Sequence, residues 1–287
     1  MSAEAGTEEA EQRRSGGRAR QRGRPARQIE PTNRADGAGP VRPLPAPAAR
    51  TNKRTVLVVS GLMDLRLQGH VVLVVGGTGL IGRAIVERLR EERADVVVGA
   101  RHAADIVIDG RDNASVTGGV AQLLKMHGRL HGLVVAAAPS AQTLDASRNS
   151  DPVQVLDAVD AKAMTFLRLA NAVVPIMTES NYGRIVGVSG QNAYLTGNVT
   201  GAVRNAAMII TAKNLADGLA GSGVTVNTVN PGTVSADPSV AVEPGRGGES
   251  SPDEIADLVA FLVSPRARAI SGEAIAIGHR VRGVAAL

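Results

Sequence analysis

The chain has 287 residues, of which 44% are hydrophobic and 1% aromatic, and its formal net charge is +5. This length suits one large domain or two small ones, with a core of aliphatic side chains. With no Trp and only two Tyr and two Phe, platforms for stacking nucleic-acid bases are nearly absent, so single-strand nucleic-acid binding is disfavoured. The lack of Cys excludes disulfides and thiolate chemistry and suits a reducing, cytoplasmic location.

The first 62 residues differ in composition from the rest. Residues 1–54 hold twelve basic and six acidic side chains, are rich in Gly, Pro and Ala, and show no apolar periodicity. We predict a disordered basic leader over 1–62, whose only nucleic-acid contacts would be weak ones. Its apolar run Thr55–Leu62 is open to two interpretations: an added edge strand, or residues included only because a start codon was assigned too far upstream. Met63 is an alternative start. No apolar run reaches ~18 residues, so no membrane span is predicted.

From Val71 onward, short β-branched segments alternate with segments whose apolar residues recur at helical spacing. The predicted strands, in chain order, are VVLVVG, ADVVVGAR, DIVIDG, LHGLVVAAA, GRIVGVSG, GVTVNTVNPG and GEAIAIG. The predicted helices include LIGRAIVERLR and VTGGVAQLLKMHG and cover about 153–178, 201–219 and 252–264. The alternation predicts a single α/β domain over 63–287, in which helices cover both faces of a parallel sheet.

A glycine-rich stretch, VGGTGLIG, joins the first predicted strand to its helix. Its glycines have G-x-x-G-x-x-G spacing, which suits a tight turn, a close backbone approach to a pyrophosphate and a close helix–strand contact. The helix N-terminus would add free N–H groups facing the phosphates. The predicted phosphate-binding residues are Gly76, Gly77, Thr78, Gly79, Leu80, Ile81 and Gly82.

The end of the second predicted strand bears on the choice of cofactor. An acidic residue there would bind a ribose 2′-hydroxyl, but the chain has Ala100 and Arg101. A guanidinium at this place favours a 2′-phosphate, hence NADP(H), although Arg101 could also be a solvated surface charge. Asp109, after the third strand, could accept from the adenine amino group or simply form a turn.

Together these segments resemble the short-chain dehydrogenase/reductase family from about Met63 to Gly278. The stretches GRLHGLVVAAA, NYGRIVGVSG, GVTVNTVNPGTV, DEIADLVAFLVS and ISGEAIAIG carry the resemblance. It implies a Rossmann-type doubly wound parallel sheet of about seven strands, a nicotinamide cofactor, and a dimer or tetramer packed through two long helices. It also implies that the cofactor contacts Ala137, Pro231, Gly232 and Thr233, and that the polar segment 234–251 is a flexible substrate lid.

The four residues on which chemistry in this family rests do not match. Counting along the chain, the family's Ser, Tyr and Lys positions fall on Gly190, Gly201 and Asn205, and its Asn position falls on Asp160. The chain contains no Tyr-x-x-x-Lys at all. The resemblance therefore implies a divergent family member. It lacks the side chains that, in the family, stabilise and protonate the alkoxide formed by hydride transfer.

Three other side chains are candidate substitutes. Asp160, on an apolar helix stripe, could have a raised pKa and act as an acid or base, or could instead cap or pair with Lys162. Ser189 could donate a hydrogen bond or be a buried strand-end residue. Tyr194, in the loop before the helix, could act at the pocket or only pack over it. His127 and His131 straddle a helix-to-strand turn, so no metal site is predicted.

The sequence leaves more than one function open. It favours an NADP(H)-binding oxidoreductase of atypical mechanism that acts on a small carbonyl, imine or conjugated acceptor, as in secondary metabolism, and that forms a homodimer or homotetramer. One alternative is an inactive scaffold that pairs with an intact relative in a hetero-oligomer. Another is a non-redox enzyme, cyclase- or isomerase-like, that reuses the pocket.

Overall fold

The computed structural model describes residues 63–139 and 143–284. The predicted leader over 1–62, with its apolar run, lies outside these residues. The β-branched runs form the strands β1 (Val71–Val75), β2 (Asp95–Ala100), β3 (Ile106–Val107), β4 (Gly132–Val135), β5 (Gly183–Val188), β6 (Val224–Pro231), β7 (Thr233–Val234), β8 (Glu249–Ser250) and β9 (Ala274–Ile277). The helices are α1 (Leu80–Glu91), α2 (Asn113–His127), α3 (Pro152–Val159), α4 (Thr165–Glu179), α5 (Val199–Gly218) and α6 (Pro252–Val263).

Seven strands form one sheet in the order β3-β2-β1-β4-β5-β6-β9. Every neighbouring pair in this sheet is parallel. The predicted doubly wound parallel sheet of about seven strands is therefore confirmed. The short parallel pair β7 and β8 was not predicted, and except for Thr233 it lies within the segment 234–251 that was expected to be a flexible lid.

Two apolar layers sandwich the sheet. One layer joins side chains of α2, α4 and α5 to one face, with the fully buried Phe166 among them. The other joins side chains of α1 and α6 to the opposite face. Because each central strand is buried on both faces, its sequence is a continuous apolar run without alternation.

The helical stretch after α3 contains a local irregularity. Residues Asp160–Met164 form a π-helical turn between α3 and α4. Such turns widen the helix and change the direction in which its side chains point. Here Ala161, Lys162 and Ala163, three consecutive residues, are all buried.

A cluster of rings lies at the amino ends of β1, β4 and β5. The rings of His70 and His131 stack at 4.7 Å, and Tyr182 contacts both of them. Nδ1 of His131 accepts a hydrogen bond of 2.9 Å from the backbone N–H of Val71. Burial, aided by the positive charges of His70 and Arg129, lowers the pKa of His131 from 6.5 to about 4. This cluster stabilises the strand ends while its imidazoles are neutral.

Candidate functional site

The glycine loop after β1 is held by contacts that only glycine allows. Gly76 has φ +87°, and a Cβ there would come within 2.5 Å of the backbone nitrogen of Ala137. A Cβ on Gly82 would overlap the carbonyl oxygen of Gly76. At Gly79 an added Cβ would make only an ordinary contact of 3.4 Å, with the carbonyl oxygen of Gly76, so this position has room for a side chain. The loop is therefore closed against the protein at both ends and open in its middle.

The open side of the loop faces a cleft of about 570 Å³ at the carboxyl ends of the strands. Ligands of open α/β sheets bind at this edge. No side chain caps the N-terminus of α1, and its first turn has no acidic residue. The walls of the cleft include Gly76, Thr78, Gly79, Arg101, Asp109, Ala137, Pro139, Thr143 and Ala161.

Arg101 and Asp109, both predicted to bind cofactor, line this cleft. Arg101 is exposed and has no hydrogen bond or ion pair to the described part of the chain. Asp109 instead accepts a hydrogen bond of 3.0 Å from the backbone N–H of Arg111, so its carboxylate forms a turn. Within the described residues, Arg101 is thus an unpaired cation in the wall of the cleft. Asp109 also lines the cleft, while its carboxylate forms a turn contact.

The remaining predicted cofactor residues lie around this cleft. Gly77 packs inward, since a Cβ there would come within 2.9 Å of Val98. Leu80, the first residue of α1, is exposed, and Ile81 is half-buried. Of the other three, Pro231 ends β6 and Gly232 and Thr233 follow it at the same sheet edge, but none of them lines the cleft.

Three of the four positions at which the family's catalytic residues are missing lie close together, around the first turns of α5. A Cβ on Gly190 would lie 3.3 Å from the side-chain nitrogen of Asn205. That nitrogen donates a hydrogen bond of 2.9 Å to the carbonyl oxygen of Gly201. Ser189, a candidate donor, donates its hydroxyl proton to the carbonyl oxygen of Asn205 at 3.1 Å. The hydroxyl of Ser189 is therefore already engaged inside the protein.

Asp160 does not have the environment that was expected for an acid. Its carboxylate accepts hydrogen bonds of 2.6 Å from Arg168 and 2.9 Å from Arg111. The hydrogen bond from Arg168 lowers the pKa of Asp160, and Arg111 adds to this effect. The expected rise in the pKa of Asp160 is therefore wrong, because the π-helical turn directs its side chain toward two guanidinium groups. The alternative expectation of a pairing with Lys162 is also wrong, since that side chain points inward.

Tyr194 ends a 3-10 turn over Gln191–Tyr194 and is half-buried. The guanidinium of Arg280 lies 5.4 Å from the centre of its ring. Cation–π contacts of this kind fix the position of an aromatic ring. The structure thus gives Tyr194 a packing contact, and its catalytic role stays a prediction.

Two buried cations near these positions were not predicted from the sequence. The ammonium of Lys162 donates a hydrogen bond of 3.1 Å to the carbonyl oxygen of Ser189, and the residue is 5% exposed. Arg204, also 5% exposed, donates from Nη1 to the carbonyl oxygen of Pro139 at 3.1 Å. Burial, and to a smaller extent the charge of Arg204, lowers the pKa of Lys162 to about 7. The one sequence signal was a lysine flanked by Ala161, Ala163 and Met164 on an apolar stripe.

The segment 234–251 is held by specific contacts. Beyond the β7–β8 pair, Gly245 N–H donates to the carbonyl oxygen of Arg282, and Arg282 N–H donates to the carbonyl oxygen of Arg246. The guanidinium of Arg282 also donates to the carbonyl oxygen of Val242 at 2.9 Å. The segment is therefore tied to the residues that follow β9.

The parallel sheet, the glycine loop and the cleft at the strand ends define a dinucleotide-binding α/β class of protein. The sequence profile described as Enoyl-(Acyl carrier protein) reductase matches residues 77–279. Dehydrogenase/reductase SDR family member 4 of Bos taurus is 31% identical over 269 residues, covering 82% of this chain and 95% of that protein. The chain therefore belongs to the short-chain dehydrogenase/reductase family of oxidoreductases.

Other relatives agree with this assignment. The 3-oxoacyl-[acyl-carrier-protein] reductase FabG of Vibrio cholerae is 30% identical over 239 residues, covering 74% of this chain and 96% of its own length. The crystal structure of gox2181 matches with a TM-score of 0.64 at 24% identity, covering 75% of this chain and 96% of that one. The structure of Cj0485 dehydrogenase matches with a TM-score of 0.63 at 18% identity, covering 75% and 95%. The two solved structures support the fold. Within the described residues, no helix has the length and hydrophobicity needed to cross a membrane.

Proposed function

We propose that this protein is an NADP(H)-dependent oxidoreductase that acts on a small carbonyl, imine or conjugated acceptor with an atypical active site. The observation that carries the proposal is the cleft of about 570 Å³, whose walls include both Gly79 and Arg101, an arginine without a partner in the described part of the chain. An anionic ligand suits both, since N–H groups and a guanidinium are donors for phosphate oxygens.

The residues fit the cofactor as follows. Gly76, Thr78 and Gly79 would hold the pyrophosphate, and Arg101 would hold the 2′-phosphate. Ala137 and Asp109 would contact the adenosine half through the cleft wall, and Pro231, Gly232 and Thr233 would contact the carboxamide end. When bound, the reduced cofactor supplies a hydride.

The atypical part of the proposal concerns the proton. Gly190 and Gly201 carry no side-chain proton donor, and the amide of Asn205 is bonded to the backbone of its own helix. Ser189 is engaged with the same helix, and Asp160 is held ionised by two arginines. A substrate that arrives already protonated, such as an iminium, or one activated by other groups of this chain suits such a pocket.

We also propose that the protein forms a homodimer or homotetramer through α5. Val199, Val203 and Ile210 are 45%, 41% and 61% exposed and recur at i, i+4 and i+11, so they form one apolar stripe on this helix. On α3, which packs against α5, Val153 and Leu156 are 67% and 69% exposed. Exposed apolar side chains in this number support a contact between copies of the chain.

The cofactor proposal is tested by binding. We expect saturating NADPH to raise the melting temperature of the full chain and to change the nicotinamide fluorescence. A ligand present at ~100 times its Kd stabilises a protein by about 2.7 kcal/mol. NADH serves as the matched ligand, and we expect it to give a smaller shift at equal concentration. Absence of both signals with NADPH would falsify the proposal.

Turnover is tested separately from binding. Small aldehydes, ketones, cyclic imines and enones are offered with NADPH, and consumption of the reduced nicotinamide is followed by its absorbance. We expect consumption with one of these classes and none without an acceptor. A chain that binds NADPH but consumes it with none of them would contradict the enzymatic part of the proposal.

A further inference from the structure

The two buried cations described above have no acidic partner in the described part of the chain. Neither Lys162 nor Arg204 forms an ion pair, and no carboxylate affects the pKa of either side chain. Nε of Arg204 is buried and has no hydrogen-bond partner among the described residues. Buried cations without a counter-charge are unfavourable, and the lowered pKa of Lys162 reflects this cost. An anion supplied from outside would provide the missing counter-charge.

A third unsatisfied group belongs to the same layer. Asn230 is fully buried, and neither its side-chain nitrogen nor its side-chain oxygen has a partner. Val188 pairs with Val229 across β5 and β6, and both pack against α1 and α6. Because side chains alternate along a strand, Ser189 and Asn230 are directed toward the opposite face, where Ser189 contacts α5.

The pair of cations adjoins the cleft. Ala161, which precedes Lys162, and Pro139, whose carbonyl oxygen accepts from Arg204, both line it. Lys162 in turn donates a hydrogen bond to the carbonyl oxygen of Ser189. The next residue, Gly190, faces the side chain of Asn205. The cations therefore lie beside the positions at which the family's reagents are missing.

We propose that Lys162, Arg204 and Asn230 form a buried binding site for the carboxylate of a small organic substrate. The assignment of this anion to the substrate rests on the proposed function, whereas the existence of an anion site does not. Guanidinium and ammonium groups with an added amide N–H are the donors that a carboxylate requires. The site therefore indicates the class of substrate, which is a small carboxylic acid that also carries the reducible group.

Trifluoroacetate is a suitable probe, because its fluorine NMR signal broadens even when binding is weak, and trifluoroethanol is the matched neutral probe. We expect the full chain to broaden the trifluoroacetate signal and to leave that of trifluoroethanol unchanged. Lys162→Met and Arg204→Met remove one charge each and should weaken binding about tenfold or more. Lys213→Met, on the exposed side of α5, is the control and should bind as the unmodified protein does.

Folding is checked by circular dichroism, and Arg204→Lys keeps a positive charge if Arg204→Met fails to fold. Arg204→Lys should retain more affinity than Arg204→Met, which a purely structural role would not require. Equal broadening by all four variants and the unmodified protein, or broadening of both probes, overturns the site.

A competition experiment identifies the source of the anion. Saturating NADPH is added to the sample that contains trifluoroacetate. Retention of the broadening supports a substrate site, whereas displacement overturns the proposal by assigning the cations to the cofactor. If NADPH does not bind and trifluoroacetate does, the cofactor proposal fails while the anion site stands. If NADPH binds and trifluoroacetate does not, only the anion site fails.

Discussion

Gly82, in the first turn of α1, touches the carbonyl oxygen of Gly76, so closely that no side chain fits between them. This contact fixes the helix against the end of β1. Gly79, halfway between the two, has ordinary space around it and a φ of −77°, which any residue adopts. The loop thus has glycines of two kinds, those required by the protein and one directed at the proposed ligand.

The first prediction separates these two kinds. Gly82→Ala should destabilise the fold by roughly 1–3 kcal/mol, because the added methyl group displaces backbone. Gly79→Ala should keep the melting temperature within a few degrees but weaken NADPH binding, because its methyl group enters the cleft. Thermal denaturation and nicotinamide fluorescence check the two variants. Equal effects of both variants on stability would argue against the division.

The second prediction concerns Arg101. Arg101→Ala should weaken NADPH binding by about tenfold or more, the size of a lost charge-assisted hydrogen bond, and leave NADH binding unchanged. Arg90→Ala, which removes an exposed cation of α1, is the control. Titration by nicotinamide fluorescence measures the NADPH and NADH affinities of the unmodified protein and of each variant. A parallel loss of NADH affinity would mean that Arg101 does not contact the 2′-phosphate.

The third prediction follows from the lowered pKa of Lys162. Its pKa is about 7 in the fold and 10.5 when unfolded, so between these values the unfolded chain binds more protons. Stability should therefore rise with pH over this window, by up to ~1.4 kcal/mol per pH unit. Lys162→Met should remove this rise. Denaturant unfolding at pH 7, 8 and 9 measures the difference, and identical slopes for the two proteins would contradict the assigned pKa.

The fourth prediction concerns acid. His131 has a pKa of about 4 in the fold and 6.5 unfolded, so stability should fall as pH drops from 6.5 toward 4. His131→Asn keeps an acceptor for the N–H of Val71 but does not titrate, and should flatten this loss. His102→Asn, at an exposed position, is the control. Thermal melts at pH 4.5 and 7 measure this loss of stability. The prediction fails if His131→Asn and His102→Asn lose the same amount.

The fifth prediction tests the α5 contact between copies of the chain. Ile210→Glu places a charge in the exposed apolar stripe and should lower the mass measured by light scattering. Val240→Glu changes a fully exposed valine outside the stripe and should leave the mass unaltered. An unchanged mass for Ile210→Glu would remove α5 from the interface.

The fold could be predicted because its signals are local. The β-branched runs of β1 and β4 and the helical spacing of α1 each determine an element, and alternation then determines a parallel sheet. The glycine loop was predictable for the same reason, since the spacing of Gly76, Gly79 and Gly82 falls between a predicted strand and a predicted helix. The β7–β8 pair was missed because strands of two residues leave no periodic pattern.

The inner site could not be predicted because it depends on the direction of single side chains. Helical spacing alone would place Asp160 and Lys162 on different sides of a regular helix without saying which faces the core. The π-helical turn shifts that direction, so Asp160 meets Arg111 and Arg168 while Lys162 enters the interior. Arg204 has no sequence signal, since an arginine within a helix is usually a surface residue.

Arg282 holds the segment 234–251 through two backbone hydrogen bonds and a third from its guanidinium. Displacing that segment outward must break these three bonds together or carry the residues around Arg282 with it. Trimming the chain before Arg282 would remove these three bonds while leaving every residue that lines the cleft in place, and the hydrogen bond from Gly248 to His279 would remain as a tie between the segment and the residues after β9.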